Sequence, residues 1–93
     1  MVVGLAVWDL QIPECHSLKE KRSVLKSIKD RLHNQFNVSV AETKYQDAHQ
    51  RAELAAVVVS GDRAHANSVL TSVDQFMEGQ SGVRITDSYT TYY

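Results

Sequence analysis

A single cysteine, Cys15, is the whole thiol content of these 93 residues. It excludes an internal disulfide and any thiolate metal cluster, and it suits a reducing compartment. The four histidines, His16, His33, His49 and His65, never stand at i,i+4, and no carboxylate spacing turns any two of them into a metal site. The four glycines are dispersed, so there is no glycine-rich phosphate loop. Cys15 beside His16 lacks a third group to orient the imidazole, and neighbouring side chains seldom point the same way. The apolar opening VVGLAVWDLQI is too short to span a bilayer, with no basic stretch before it and no cleavage site after it. No linker, repeat or low-complexity tract interrupts the chain. These absences leave a single domain, residues 1–93, expected to be soluble and cytoplasmic, with neither a cofactor nor an enzymatic constellation.

What is present is organised around His16–Glu42. Ser17 and Glu20 form an S-x-x-E capping box ahead of Val24, Leu25, Ile28, Leu32 and Phe36, which recur at three- and four-residue steps. The spacing predicts a helix of about five turns, with Asn37 as a left-handed stop. At about 100° per residue, Lys19, Arg22, Lys26, Lys29 and His33 share one flank beside the apolar stripe. Arg31 lies on the other flank, and Lys21 points near the stripe at its N-terminal end. Most of the chain's ten Lys and Arg residues sit here, although the net charge is only −1. Two readings follow: a solvated face whose long stems cover core edges, or a surface for an anionic partner, RNA backbone above all.

On either side of this helix the pattern changes. Val2–Ile12 is rich in β-branched and aromatic residues, is apolar on both faces in its first half, and stops at Pro13. After the helix, Phe36–Tyr45 alternates with period two: one side apolar through Val38 and Val40, continued by Glu42 and Lys44, the other polar, as in an edge strand. The polar connector Tyr45–Arg51 is too short for a helix crossover and suits a hairpin. Ala52–Ser60 is again apolar on both faces. Ser60-Gly-Asp62 offers N-caps for a second helix carrying Ala66, Val69, Leu70, Val73, Phe76 and Met77, ended by Gly79. Gly82 opens a last strand in which Val83, Ile85, Asp87 and Tyr89 share a face, with the final TTYY as a looser tail.

Strand, helix, strand, strand, helix, strand reads as two interleaved right-handed β-α-β crossovers. The expected fold is a ferredoxin-like α/β (α+β) sandwich, βαββαβ, whose antiparallel four-stranded sheet has the order 4-1-3-2 and both helices on one face. The two-sided strands, first and third, then fall at the centre. Their second apolar face meets water unless something covers it, which predicts a homodimer or partner surface on the open sheet face. The RNA-recognition motif shares this topology but stacks bases on central-strand aromatics. Here the third strand has none and Trp8 is the only one on the first, so RNA would be held by the helix and loops through phosphate contacts.

Ser17-Leu-Lys-Glu-Lys-Arg-Ser23, Phe36-Asn-Val-Ser39 with Glu42, Gln46-Asp47 and Gln50-Arg51-Ala52 together resemble the YlxP-like family of small bacterial proteins, along nearly the whole chain. The resemblance implies a ferredoxin-like fold without an assigned activity. It also implies a ribosome- or RNA-associated role, because family genes often neighbour those of translation initiation and ribosome maturation. Family members often carry a tryptophan where this chain has His49. The expected function is thus a non-catalytic RNA- or ribosome-associated factor whose contacts are Lys19, Lys21, Arg22, Lys26, Lys29 and Arg31, with Arg51 as a loop contact. The alternative is a dimeric interaction or small-ligand-sensing module using the open sheet face and a loop site at Asp47, His49 and Gln50.

Overall fold

A computed structural model describes residues 1–93. The elements are β1 (Val2–Gln11), α1 (Leu18–Gln35), β2 (Ser39–Lys44), β3 (Arg51–Ser60), α2 (Arg63–Glu78) and β4 (Arg84–Tyr92). The strands form one antiparallel sheet in the order β2-β3-β1-β4, the ferredoxin-like arrangement that the sequence predicts.

Alternation along the central strands sorts their side chains. Ala6, Trp8, Leu10 and Ile12 of β1 and its extension join Ala52, Leu54, Ala56 and Val58 of β3 on the helix side, all buried. Leu25, Ile28 and Leu32 of α1 and Ala66, Leu70, Val73 and Met77 of α2 close over them. Full burial of each large aliphatic contributes about 1.5–3 kcal/mol. Trp8, 1% exposed, is a core residue. Gly4 lies under α2, where a Cβ would stand 2.8 Å from Leu70 Cδ1.

The helix ends follow the sequence at three of four places. Ser17 Oγ accepts from the Glu20 amide at 3.1 Å as in a capping box, while Glu20 Oε2 accepts from the His16 amide at 2.9 Å, one residue before the cap, rather than from that of Ser17. Asp62 caps α2 through the Ala64 amide at 3.0 Å, and Gly79 ends it. The fourth differs. No left-handed residue stops α1; Phe36 leaves it in extended conformation (φ −134°, ψ 148°), leading the chain into β2. Its ring is anchored edge-on against Phe76, 6.3 Å between centroids.

Two bulges change faces that strict alternation would keep. Thr43 is the extra residue where Glu42 pairs with Leu54 and Lys44 with Glu53, so Glu42 faces the helices while Lys44 crosses to the open face. Thr86 is the extra residue in β4, where Asp87 pairs with Asp9 and Ile85 with Leu10. Ile85 therefore turns inward, and Asp87 and Tyr89 turn outward. The final TTYY is not a loose tail: β4 runs to Tyr92, and Val3 and Tyr93 exchange both backbone hydrogen bonds. Gly82, at φ 82°, supplies the left-handed turn into β4.

Candidate functional site

The β2–β3 hairpin is organised from beneath by Lys21. This lysine is fully buried, at the end of the α1 stripe that faces the sheet. Its Nζ donates to the Tyr45 carbonyl at 2.7 Å and the Arg51 carbonyl at 3.2 Å, and lies 3.0 Å from Glu42 Oε2. That carboxylate oxygen is itself buried and has no aligned hydrogen-bond donor, so its contact with the ammonium is a charge–charge one. Lys21 thus ties the end of β2 to the start of β3, and it holds Tyr45 where that residue adopts a left-handed φ of 68°. The expectation that Lys21 contacts RNA is corrected here: all its polar partners are internal, and no part of it reaches solvent.

Arg51, expected as a loop contact, lies away from the helix cations. It pairs with Gln11 in the ladder and stands on the open face, across the sheet from α1. Its Nε and Nη2 meet the Asp9 carboxylate at 3.3 and 2.9 Å, and its guanidinium lies 3.9 Å over the Tyr45 ring. The hydrogen bond from Arg51 holds the Asp9 carboxyl below its ordinary range against a smaller opposing effect of burial, and Asp9 raises Arg51 in turn. Arg51 therefore does not join the helix cations in one patch.

Of the loop-site residues, Gln50 is an internal tie. Its amide donates to the carbonyls of Pro13 (3.3 Å) and Cys15 (3.1 Å), holding the hairpin to the β1–α1 connection. His49 and Asp47 are exposed; His49, Gln50, Arg51, Ala48, Gln11 and Pro13 border an open depression of about 560 Å³. Cys15 nearby is buried, and burial, then the charge of Glu20, push its thiol up rather than toward a reactive thiolate.

The basic flank of α1 does reach solvent. Lys19, Arg22 and Lys26 are exposed and Lys29 is half-buried. Lys26 donates to Asp30 at 2.7 Å, which raises the lysine and lowers the aspartate. Glu20 is engaged in the cap. Arg31 is exposed on the other flank, where Nε donates to the Ser27 carbonyl (3.3 Å) and the guanidinium sits 5.5 Å from the Phe76 ring centre. Lys19, Arg22, Lys26 and Lys29 therefore form one ridge, with Arg31 apart from it.

Sequence reading missed a second polar region, between α2 and β4. Asp74 Oδ1 accepts from the buried Trp8 Nε1 at 2.8 Å, and the Tyr92 hydroxyl donates to Asn67 at 2.9 Å beneath the Arg63 guanidinium. The available signal was Asp74 itself, an acid adjoining Val73 in the inward phase of α2.

The fold and its surfaces define a ferredoxin-like α/β protein with a cationic helix ridge and a hairpin pinned by a buried lysine. Residues 3–90 match the family described as protein of unknown function DUF503, and the chain belongs to that family. It is 36% identical over 92 residues to the uncharacterized protein YlxP of Bacillus subtilis strain 168, covering 99% of this chain and 100% of that one. Among solved structures, the de novo designed protein Foldit4 shares the fold at a TM-score of 0.56 with 11% identity, over 98% of this chain and 97% of the design. No helix is long and apolar enough to cross a membrane.

Proposed function

We infer that this chain is a non-catalytic binder of nucleic-acid phosphate backbone, in the setting of RNA or a ribosomal subunit, and that the α1 ridge is its contact surface. The observation that supports the reading is the placement of Lys19, Arg22, Lys26 and Lys29 along one flank, clear of the sheet. Ten residues of helix put these cations along about 15 Å, a span over which a single strand presents several phosphates. Lys19 and Lys29 end in flexible ammonium groups, Lys26 in one shared with Asp30, and Arg22 in a fork that fits phosphate oxygens, a set that suits backbone contacts.

Titration of a fluorescein-labelled oligouridylate, read by anisotropy at several salt concentrations, tests this. Four phosphate contacts give a log–log salt slope of about −3. Replacing Arg22 and Lys26 with Gln should halve the slope without altering the unfolding midpoint. Asp30→Asn, which frees Lys26, should tighten binding. Binding that ignores all three substitutions would remove α1 from the mechanism. Sedimentation with ribosomal subunits at low and high salt then distinguishes free RNA from an assembled particle.

A second reading rests on a separate observation. On the open sheet face Val59, Tyr89 and Tyr93 are 63%, 57% and 75% exposed, beside Val3, Leu5 and Val57. That apolar strip suits a second copy of the chain packed face to face. Light scattering at tens of micromolar measures it directly, and a monomeric mass there rules it out.

A further inference from the structure

The two edges of the sheet are defended very differently. β2 is six residues long, bulged at Thr43 and terminated by Lys44, three devices that discourage strand addition. β4 is nine residues long, with no lysine or proline, and its bulge lies near its start, at Thr86. Val3 and Tyr93 form a doubly hydrogen-bonded pair, and antiparallel pairs alternate. Thr91 and Tyr89 therefore also bond β1, while the backbone groups of Ser88, Thr90 and Tyr92 point away from the sheet. The Ser88 amide is met by its neighbour's carboxylate, Asp87 Oδ1, at 2.9 Å. Thr90 and Tyr92 have no such local acceptor.

Acid borders this edge on both faces. α2 packs over β1 and β3, leaving Ser88 and Thr90 exposed although they stand on the helix side. Between α2 and β4 run two depressions of about 430 and 370 Å³ that share Asp74 and Ser88, and Glu78 and Arg84 border the first. Asp74 is steadied by Trp8 through one oxygen, and neither Asp74, Glu78 nor Asp87 has an ion-pair partner. Asp87 lies on the opposite face, beside Asp9.

We propose that the free edge of β4 is a docking site for an extended basic peptide segment, which adds as a fifth strand along Ser88–Tyr92 and places Lys or Arg side chains beside Asp74 and Glu78 on one face and Asp87 on the other. Main-chain bonds to Thr90 and Tyr92 supply the pairing, and the three carboxylates, none of them held in an ion pair and outnumbering the one nearby Arg84, favour cations. Successive side chains of an added strand point to opposite faces, and both faces carry acid, so either phase of a basic sequence finds a partner. The site is independent of the α1 ridge.

The probes are two synthetic peptides, acetyl-Thr-Lys-Val-Lys-Val-Thr-amide and its counterpart with Glu for Lys, and the readout is backbone amide exchange by NMR. In the free protein the Thr90 and Tyr92 amides should exchange fast while Tyr89 and Thr91 are protected. The lysine peptide should protect Thr90 and Tyr92 and the glutamate peptide should not. Asp74→Asn/Glu78→Gln/Asp87→Asn, which clears both faces of acid and keeps the acceptors for Trp8 and the Ser88 amide, should weaken the lysine peptide roughly fivefold. Thr90→Pro removes only an outward donor, so it should keep the fold and abolish binding. No protection at millimolar peptide, or equal protection by both peptides, overturns the proposal. Protection that grows with protein concentration in the absence of peptide also overturns it, and assigns the edge to β4–β4 pairing between two copies.

Discussion

Lys21 and Glu42 meet at 3.0 Å beneath the β2–β3 hairpin, the lysine wholly inside the protein and the glutamate side chain 16% exposed. The pair joins the first turn of α1 to the end of β2, and the two carbonyls that complete the lysine's shell bring in the start of β3. A buried ammonium is stable only while its partners surround it.

Lys21→Met should therefore destabilise the protein by about 3 kcal/mol, measured as a urea unfolding midpoint, because it strands a carboxylate and two carbonyls. In Lys21→Met/Glu42→Leu the loss should shrink, since the uncompensated charge is gone, but not vanish, since the Tyr45 and Arg51 carbonyls still lack a donor. Below the unfolding transition, Lys21→Met should leave the salt slope of RNA binding where it was. A flattened slope would return this lysine to the contact surface.

That lysine marks the boundary of what could be read from the sequence. Strands apolar on both faces place β1 and β3 at the centre, and Ser17 with Glu20 marks the start of α1, because these signals lie within one element. The phase of α1 puts Lys21 near the stripe, but its acceptors come from a hairpin more than twenty residues on, and no local pattern announces them. Arg51 is a similar case: its face depends on the register against β1, where Asp9 waits. The bulges at Thr43 and Thr86 each cost one residue of alternation and turn Lys44, Asp87 and Tyr89 to the open side.

The Asp9–Arg51 pair makes stability depend on pH in a defined direction. The folded-state carboxyl of Asp9 is lowered, chiefly by its hydrogen bond from Arg51. Its contribution is complete above the ordinary aspartate range and is lost as pH falls through the lower folded-state value. Asp9→Asn should flatten the acid limb of a stability–pH profile and leave the profile near neutrality parallel to that of the parent. An unchanged acid limb would mean that Asp9 does not titrate differently in the folded and unfolded chains.

Trp8 is the chain's one tryptophan, and its indole reports directly on the α2–β1 packing. Its emission should be blue-shifted in the native state and move to the red in a single step on unfolding. Trp8→Phe loses the 2.8 Å bond to Asp74 and some core volume together, a loss of about 2–3 kcal/mol in the urea midpoint. Asp74→Asn keeps an acceptor and should lose less than half as much. If the two substitutions cost the same, the carboxylate charge rather than the hydrogen bond is what steadies the indole.

Gly4 tests how tightly α2 sits on the sheet. A methyl there would meet Leu70 Cδ1 at 2.8 Å, Val58 Cγ1 at 3.1 Å and Tyr92 Cε1 at 3.3 Å. All three are side-chain atoms, so the core can shift to admit the methyl, at a cost of about 1–2 kcal/mol. The direction of that shift is informative, because Leu70 belongs to α2 and Tyr92 to β4. Gly4→Ala should lower the unfolding midpoint and disturb the Tyr92–Asn67 hydrogen bond, visible in NMR as shifts at Asn67 confined to that end of the α2–β4 groove. Gly4→Ala/Leu70→Val removes a methylene from the tightest contact and should recover less than the full loss, since Val58 and Tyr92 remain close. A single variant as stable as the parent would show that α2 rides loosely enough on β1 to absorb a methyl without strain.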